Sequence, residues 1–220
     1  MLAEFTTLIN NAGIMVFGEF EWQTSALIEN QINVNLIGTM NFTKSLMQLI
    51  RQHKTRIINV TSHCALEALP GLAPYAASKA ALRFWNDAMR VELKKYGVDV
   101  VSFIPGSLVM STNITARQDD YANEMRQAFS PEQLEFYEDY FDRYNGYLKY
   151  ISGIKPAQII IDDGLFERFE RALKDCPPEA VYKCEPWRYT IYHFLFKFTP
   201  IIFRDWLVVR FMNMPEYRTK

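Results

Sequence analysis

The sequence predicts an α/β fold: a parallel sheet covered by helices on both faces. Two short runs, RIINV at 56–60 and VDVVSFI at 98–104, are dominated by β-branched and other apolar residues, as in strands buried on both sides. Long stretches with helical apolar spacing separate them. Asn11-Ala12-Gly13 and Pro105-Gly106 stand as turns just past strand candidates.

Thr7–Asn10 is the first strand candidate, and 26–52 reads as one long helix. Strand 56–60 leads to a helix over 74–95, with Pro74 suited to its first turn and Leu82, Trp85, Met89 and Leu93 on one stripe. Strand 98–104 ends at Pro105-Gly106. An irregular segment and two polar helical stretches, 116–129 and 131–150, follow. Insertions past a strand's C-terminal end are where α/β proteins build substrate lids, so 106–153 reads as a lid. A helix near 156–173 and a short strand at 180–182 come next, within one domain spanning 1–220.

The segment 187–213 is apolar and aromatic, but Lys197, Pro200, Arg204, Asp205 and Arg210 interrupt it. It lacks the uninterrupted apolar run of about 18 residues that a membrane span needs. Cations beside aromatic residues suit a segment lying on a membrane surface. The alternative is an arm packed on the substrate pocket or on a partner subunit.

Of the 220 residues 49% are hydrophobic and 22% charged, with a net charge of −1, which gives no reason to expect nucleic acid as a partner. Cys64, Cys176 and Cys184 are too few and scattered for a disulfide framework or zinc site, which points to a reducing, intracellular setting. The first residues carry no signal or transit pattern. His53 and His193 lack partners at ligand spacing and read as structural, so no metal is expected. Asp162-Asp163 reads as a surface feature.

The densest signal is SHCALEALPGLAPYAASKAAL, Ser62 to Leu82. Tyr75 and Lys79 are four apart and so share a helix face. A phenol with a pKa of about 10 is a poor proton shuttle at neutral pH, and a nearby ammonium favours its phenolate. Bringing it to about 7 needs roughly 4 kcal/mol of differential stabilisation. Tyr-x-x-x-Lys alone is commonplace on exposed helix faces. Here Ser62 stands 13 residues before Tyr75, NNAG follows the first strand candidate, Asn35 lies in INVNLIGT, and Pro105-Gly106 ends a later strand.

Together these motifs resemble the short-chain dehydrogenase/reductase family over most of Leu8 to Thr112. The branch that holds D-β-hydroxybutyrate, retinol and hydroxysteroid dehydrogenases is the most similar. The resemblance implies Tyr75 as general acid/base and Ser62 as hydrogen-bond partner of the substrate oxygen. Lys79 would hold the cofactor ribose and depress the Tyr75 pKa. Asn35 would anchor a water relay, with Asn33 the alternative if the register slips. Asn10, Asn11, Ala12 and Gly13 would line the adenosine side of NAD or NADP. Pro105 and Gly106 would face the nicotinamide, with Leu108 and Thr112 just beyond. His63 reads as an ordinary loop residue, with substrate contact the alternative; Ala65 stands where the family often has Gly.

In that family a Gly-rich turn, TGxxxGxG, cradles the pyrophosphate ahead of NNAG. None occurs in these 220 residues. The resemblance therefore implies a partial Rossmann-like doubly wound sheet that lacks its first strands, roughly 75–85 residues, with an internal start, gene-model truncation or splice form as the origin. Such a chain alone is expected to bind NAD or NADP negligibly and to be inactive. The expected function is hydride transfer between nicotinamide and a secondary alcohol or ketone of a steroid or retinoid. Membrane association, at endoplasmic reticulum or mitochondrion, and a homo-oligomer are the expected settings. D-β-hydroxybutyrate is the alternative substrate, with Arg117 as candidate cation for its carboxylate. A non-catalytic binding or dimerisation form is the alternative from another class.

Overall fold

The computed structural model describes residues 5–106, 108, 112–137, 139–152, 162–184 and 187–217. Four strands, β1 (Thr7–Asn10), β2 (Arg56–Val60), β3 (Val100–Ile104) and β4 (Val181–Lys183), pair side by side in chain order, all parallel. Ile9 pairs with Ile58, Ile58 with Val101, and Phe103 with Tyr182. Parallel neighbours need crossover connections, and helices supply them.

Successive strand residues point to opposite faces, and both faces are covered. Leu8, Ile57 and Val100 pack with Ile50, Leu93 and Val98 on one side. Ile58, Val101, Phe103 and Tyr182 pack with Leu165 and Ala172 on the other. The apolar runs of β2 and β3 thus arise because both faces are dry. Val98 and Asp99 lead into β3 rather than belong to it; Asp99 is turned to Arg56 at 3.8 Å and Lys94 at 3.4 Å.

The stretch 26–52 is not one helix. It divides into α1 (Ser25–Ile32), a wide π-type turn (Asn33–Gly38), α2 (Thr39–Ser45) and α3 (Met47–His53). Such π turns occur mostly inside α-helices and often at functional sites. The second break follows Ser45, whose hydroxyl donates to the Phe42 carbonyl at 2.7 Å and competes with the backbone ladder. The long helix α4 runs Ala73–Lys94. After β3 come a short turn at Asn113–Thr115, α5 (Gln118–Ala128), α6 (Pro131–Tyr137) and α7 (Tyr140–Ser152), so the predicted helix 131–150 is two. Next is α8 (Asp163–Lys174), whose cap Asp162 accepts the Leu165 N–H at 3.1 Å; the Asp162-Asp163 pair is a helix start. The part of the predicted 156–173 helix at 156–161 lies outside the described residues, as do Ser107 and 109–111 of the predicted lid.

The loop after β1 has no regular structure, yet side-chain amides hold its peptide groups. Asn35 accepts from Ile14 N at 2.8 Å and donates to Ile14 O at 2.9 Å. Gln31 accepts from Val16 N at 3.1 Å. Gln118 of α5 accepts from Phe17 N at 3.0 Å and donates to Phe17 O at 2.8 Å. Gln23 donates to Gly18 O at 2.9 Å, and Gly18 N donates to Gly71 O at 3.0 Å. Buried backbone groups outside secondary structure must find such partners.

Farther along, Trp22 inserts its ring among Tyr137, Tyr140, Phe141 and Tyr144 of α6 and α7, edge-on, at centroid distances from 5.0 to 5.7 Å. Tyr137 donates to Glu21 at 2.6 Å and Tyr140 to Glu19 at 2.7 Å. Gly71 has φ +77°, and a Cβ there would stand 1.9 Å from the Tyr144 hydroxyl oxygen, so both conformation and space require glycine.

The chain ends in two helices, α9 (Trp187–Phe198) and α10 (Ile201–Met212). No helix among the described residues is long and apolar enough to cross a membrane. Beyond α10 the chain returns to α6–α7: Tyr147 donates to Met212 O, Arg143 to Glu216 O at 3.0 Å, and Tyr217 to Phe136 O at 3.2 Å.

Candidate active site

Helix α4 starts beside the C-terminal end of β2 and brings Tyr75 and Lys79 together below the turn that carries Ser62. Both are buried, at 5% and 4% exposure. The Ser62 hydroxyl lies close enough to the Tyr75 phenol to lower its pKa, and it accepts the Cys64 N–H at 3.2 Å. Lys79 Nζ donates to Val60 O, the last residue of β2, at 3.1 Å and lies 6.0 Å from the Tyr75 ring centre.

The π turn places Asn35 fully buried, its Nδ2 donating to Ser78 Oγ at 2.9 Å, while Ser78 Oγ donates to Tyr75 O at 2.7 Å. Asn33 is exposed, so Asn35 is the asparagine that reaches the site. Gly13 closes the group: a Cβ there would stand 3.4 Å from both Asn35 Oδ1 and Lys79 Nζ. Ser62, Tyr75, Lys79, Asn35 and Gly13 therefore converge at the C-terminal ends of β1 and β2, where open parallel sheets bind ligands.

The other sequence-derived positions spread out. Asn11 and Ala12 are exposed just past β1. The side chain of Asn10 is engaged inside the fold, donating to Thr43 Oγ1 at 3.0 Å and Asn59 Oδ1 at 2.7 Å. Pro105 is half-buried, and Gly106, at φ +84°, sits where a Cβ would meet Cys184 O at 2.3 Å. Leu108 packs against the core of β3 and β4, and Thr112 Oγ1 donates to Leu108 O at 2.9 Å. Arg117 pairs with Asp120 at 3.6 Å and covers the Tyr121 ring. Sequence reasoning missed Ser78, which stands in plain view between Tyr75 and Lys79 but gains meaning only once Asn35 is placed. A cleft of about 220 Å³ between α5 and α7 is lined by ion pairs, Lys149–Asp119 and Arg126–Asp142, and stands apart from the Tyr75 group.

Electrostatics depart from expectation. Burial pushes the Tyr75 phenol up to about 12, against the lowering pull of the Ser62 hydroxyl, with the Cys64 thiol adding a smaller upward push. Lys79 does not depress it here: its ammonium is turned to Val60 O, and burial brings it down to about 8. Desolvation outweighs the expected ammonium–phenolate attraction.

The family model described as short chain dehydrogenase matches residues 1–122, the part of the chain that holds β1, β2, β3 and the whole convergent group. The chain belongs to the short chain dehydrogenase family. Mitochondrial D-beta-hydroxybutyrate dehydrogenase of Mus musculus is 36% identical over 107 residues, 49% of this chain and 31% of that protein. Human 17-beta-hydroxysteroid dehydrogenase type 2 is 34% identical over 140 residues, 62% of this chain and 35% of that protein. The match thus spans about a third of the length of these curated relatives. A short chain dehydrogenase from Burkholderia cenocepacia J2315, solved in complex with NADP, superposes with a TM-score of 0.61 over 93% of this chain and 70% of that one, at 22% identity, a likeness of fold.

In this chain the buried Lys79 leaves a signature in stability. Below pH of about 8 the folded chain carries a charge that the unfolded chain solvates better. That penalty fades as pH rises toward 10.5, where the unfolded lysine also loses its proton. Lys79→Met is expected to stabilise at pH 7 by about 2 kcal/mol, from about 3 kcal/mol of relieved desolvation less about 1 for the lost Val60 bond. Thermal unfolding at pH 7 and pH 10 checks this: the gain should shrink at pH 10, and an equal effect at both would contradict it.

Proposed function

We propose that this chain works as an NAD(P)-dependent oxidoreductase on a secondary alcohol or ketone of a lipid-like substrate, a steroid or retinoid. The observation that carries the reading is the buried Tyr75–Lys79 pair beside half-buried Ser62, with Asn35 behind it. A bound nicotinamide dinucleotide supplies or accepts the hydride; Asn11, Ala12, Gly13, Lys79 and the Pro105-Gly106 turn would hold it, with Leu108 and Thr112 beyond. The close approach of Gly13 to Asn35 and Lys79, where a Cβ would stand 3.4 Å from both, supports that fit, because the backbone there comes up to the site without a side chain in between.

In reduction, the Tyr75 O–H gives its proton to the carbonyl oxygen as hydride reaches the carbon, so the product is the alcohol and the residue a phenolate. Ser62 donates to the same oxygen and stabilises its developing charge. A proton drawn from solvent then returns to the Tyr75 phenolate by way of the Lys79 ammonium and a water that Asn35 would anchor. A phenol held at about 12 keeps its proton at neutral pH, which suits it as a donor.

Apolar neighbours support a lipid-like substrate: Met15, Phe17, Leu72 and Tyr121 share the cluster of Tyr75, with Cys64, Leu69 and Ile114 against it. The similarity to D-beta-hydroxybutyrate dehydrogenase supports a small hydroxy acid as the second reading; the engagement of Arg117 with Asp120 weighs against it. Tyr75→Phe in the full-length protein should lower turnover on the order of 10² to 10⁴-fold and leave NAD(P)H binding, read by fluorescence titration, in place. Near-normal turnover would reject Tyr75 as acid/base. No turnover in the parent protein would favour the non-catalytic binding form.

The terminal helices support attachment to a membrane surface. Ile201, Ile202, Phe203, Trp206 and Val209 are exposed along α10, which also carries Arg204 and Arg210. The protein should float with anionic liposomes, and Ile202→Ser with Trp206→Ser should abolish this. Equal flotation of parent and variant, or of neither, would reject the attachment.

A further inference from the structure

We propose that Tyr189, on α9, is a positioning residue for Ser62 that acts through His63. The Tyr189 and His63 rings stack, with centroids 4.9 Å apart and planes 23° from parallel. His63 opens the tight turn His63–Ala65, which Ser62 itself caps. Ala65 N donates to Ser62 O at 3.0 Å, Cys64 N to Ser62 Oγ at 3.2 Å, and Leu66 N and Glu67 N to His63 O at 2.8 and 3.0 Å. The oxygen read as acting beside the Tyr75 phenol is thus the oxygen that ties down the turn. A displacement of His63 that carries its backbone along would move the Cys64 N–H, and with it the partner that fixes Ser62 Oγ.

Tyr189 is a firm support because its own helix is anchored. Tyr189 meets Tyr192 edge-on at 6.0 Å, and Tyr192 meets Phe211 of α10 at 4.9 Å. The next residue, Met212, accepts at its carbonyl from Tyr147 of α7, and Tyr217 stacks on Phe136 of α6 at 5.2 Å. A line of rings therefore runs from the Ser62 turn to α6–α7, and the C-terminal arm completes one wall of the site. Loss of one aromatic pair in such a line shifts a local opening equilibrium about two- to tenfold.

The proposal rests on the reading of Ser62 and Tyr75 as the reacting pair, so its test includes a readout that needs no turnover. The thiol of Cys64, half-buried inside the turn, reports whether the turn opens. In the full-length protein, N-ethylmaleimide labelling of Cys64, followed by peptide mass spectrometry, should quicken about two- to tenfold in Tyr189→Ala and stay at the parent rate in Tyr189→Phe, which keeps the ring. Cys176 and Cys184 should label at unchanged rates. In a His63→Ala background Tyr189→Ala should add nothing. The kcat for ketone reduction should fall in Tyr189→Ala with the KM for the nucleotide unchanged, and recover in Tyr189→Phe. Unchanged Cys64 labelling in Tyr189→Ala would overturn the proposal, as would equal quickening at all three cysteines, which marks general unfolding. An inactive parent would count against the dehydrogenase reading alone, and the labelling would still decide the role of Tyr189.

Discussion

The amide of Asn35 grips both ends of one peptide unit, accepting the Ile14 N–H and donating to the Ile14 carbonyl, and reaches Ser78 with its second hydrogen. Three elements meet in that side chain: the loop after β1, the π turn and α4. The π turn is what aims it. An ordinary α-helix through 33–38 would rotate Asn35 relative to α4 and leave the Ile14 peptide buried without a partner, at about 1–3 kcal/mol for each unsatisfied group. From this anchor the loop runs on through Gln31, Gln118 and Gln23, so that α5 is tied to the same wall as the Tyr75–Lys79 pair. The site and the helices proposed as its lid share one scaffold.

Two consequences follow for energetics. The wall is held by the chain's own side chains, which supply partners for its backbone groups, and the aromatic packing of Trp22 against α6–α7 braces it. The Tyr75–Lys79 pair, in contrast, is strained electrostatically. Tyr75 and Lys79 are both taken out of water, and burial moves each toward its neutral form. A phenol that keeps its proton beside an ammonium that holds its own weakly is a poised pair. The apolar layers on both faces of β2 and β3 offset what that poise costs in stability.

Much of this was legible in the chain. The strand at 56–60, the strand read at 98–104 that begins only at Val100, and the helix of Tyr75 and Lys79 are local patterns with strong periodicity. The break of 26–52 was not legible, because Asn33–Gly38 keeps helical apolar spacing and only the distant Ile14 peptide selects the wider turn. The roles of Gln23, Gln31 and Gln118 were hidden for a like reason: a glutamine on an amphipathic helix looks like a solvated residue until a bare backbone arrives opposite it. Asn10 reads as a ligand-facing residue from its motif, yet its amide hydrogens go to Thr43 and Asn59 in the interior. The contact of Tyr189 with His63 spans more than half the chain, and no local pattern announces it.

The central claim is that side-chain amides, led by Asn35, hold an irregular loop as firmly as a ladder holds a strand. Native-state hydrogen exchange, read residue by residue by NMR, tests it most directly. The N–H groups of Ile14, Val16, Phe17 and Gly18 should be protected to the same order as those of β2. In Asn35→Ala the protection of Ile14 should fall on the order of 10²-fold while β2 is unchanged. Fast exchange at these four positions in the parent protein, or undiminished protection of Ile14 in the variant, would contradict it.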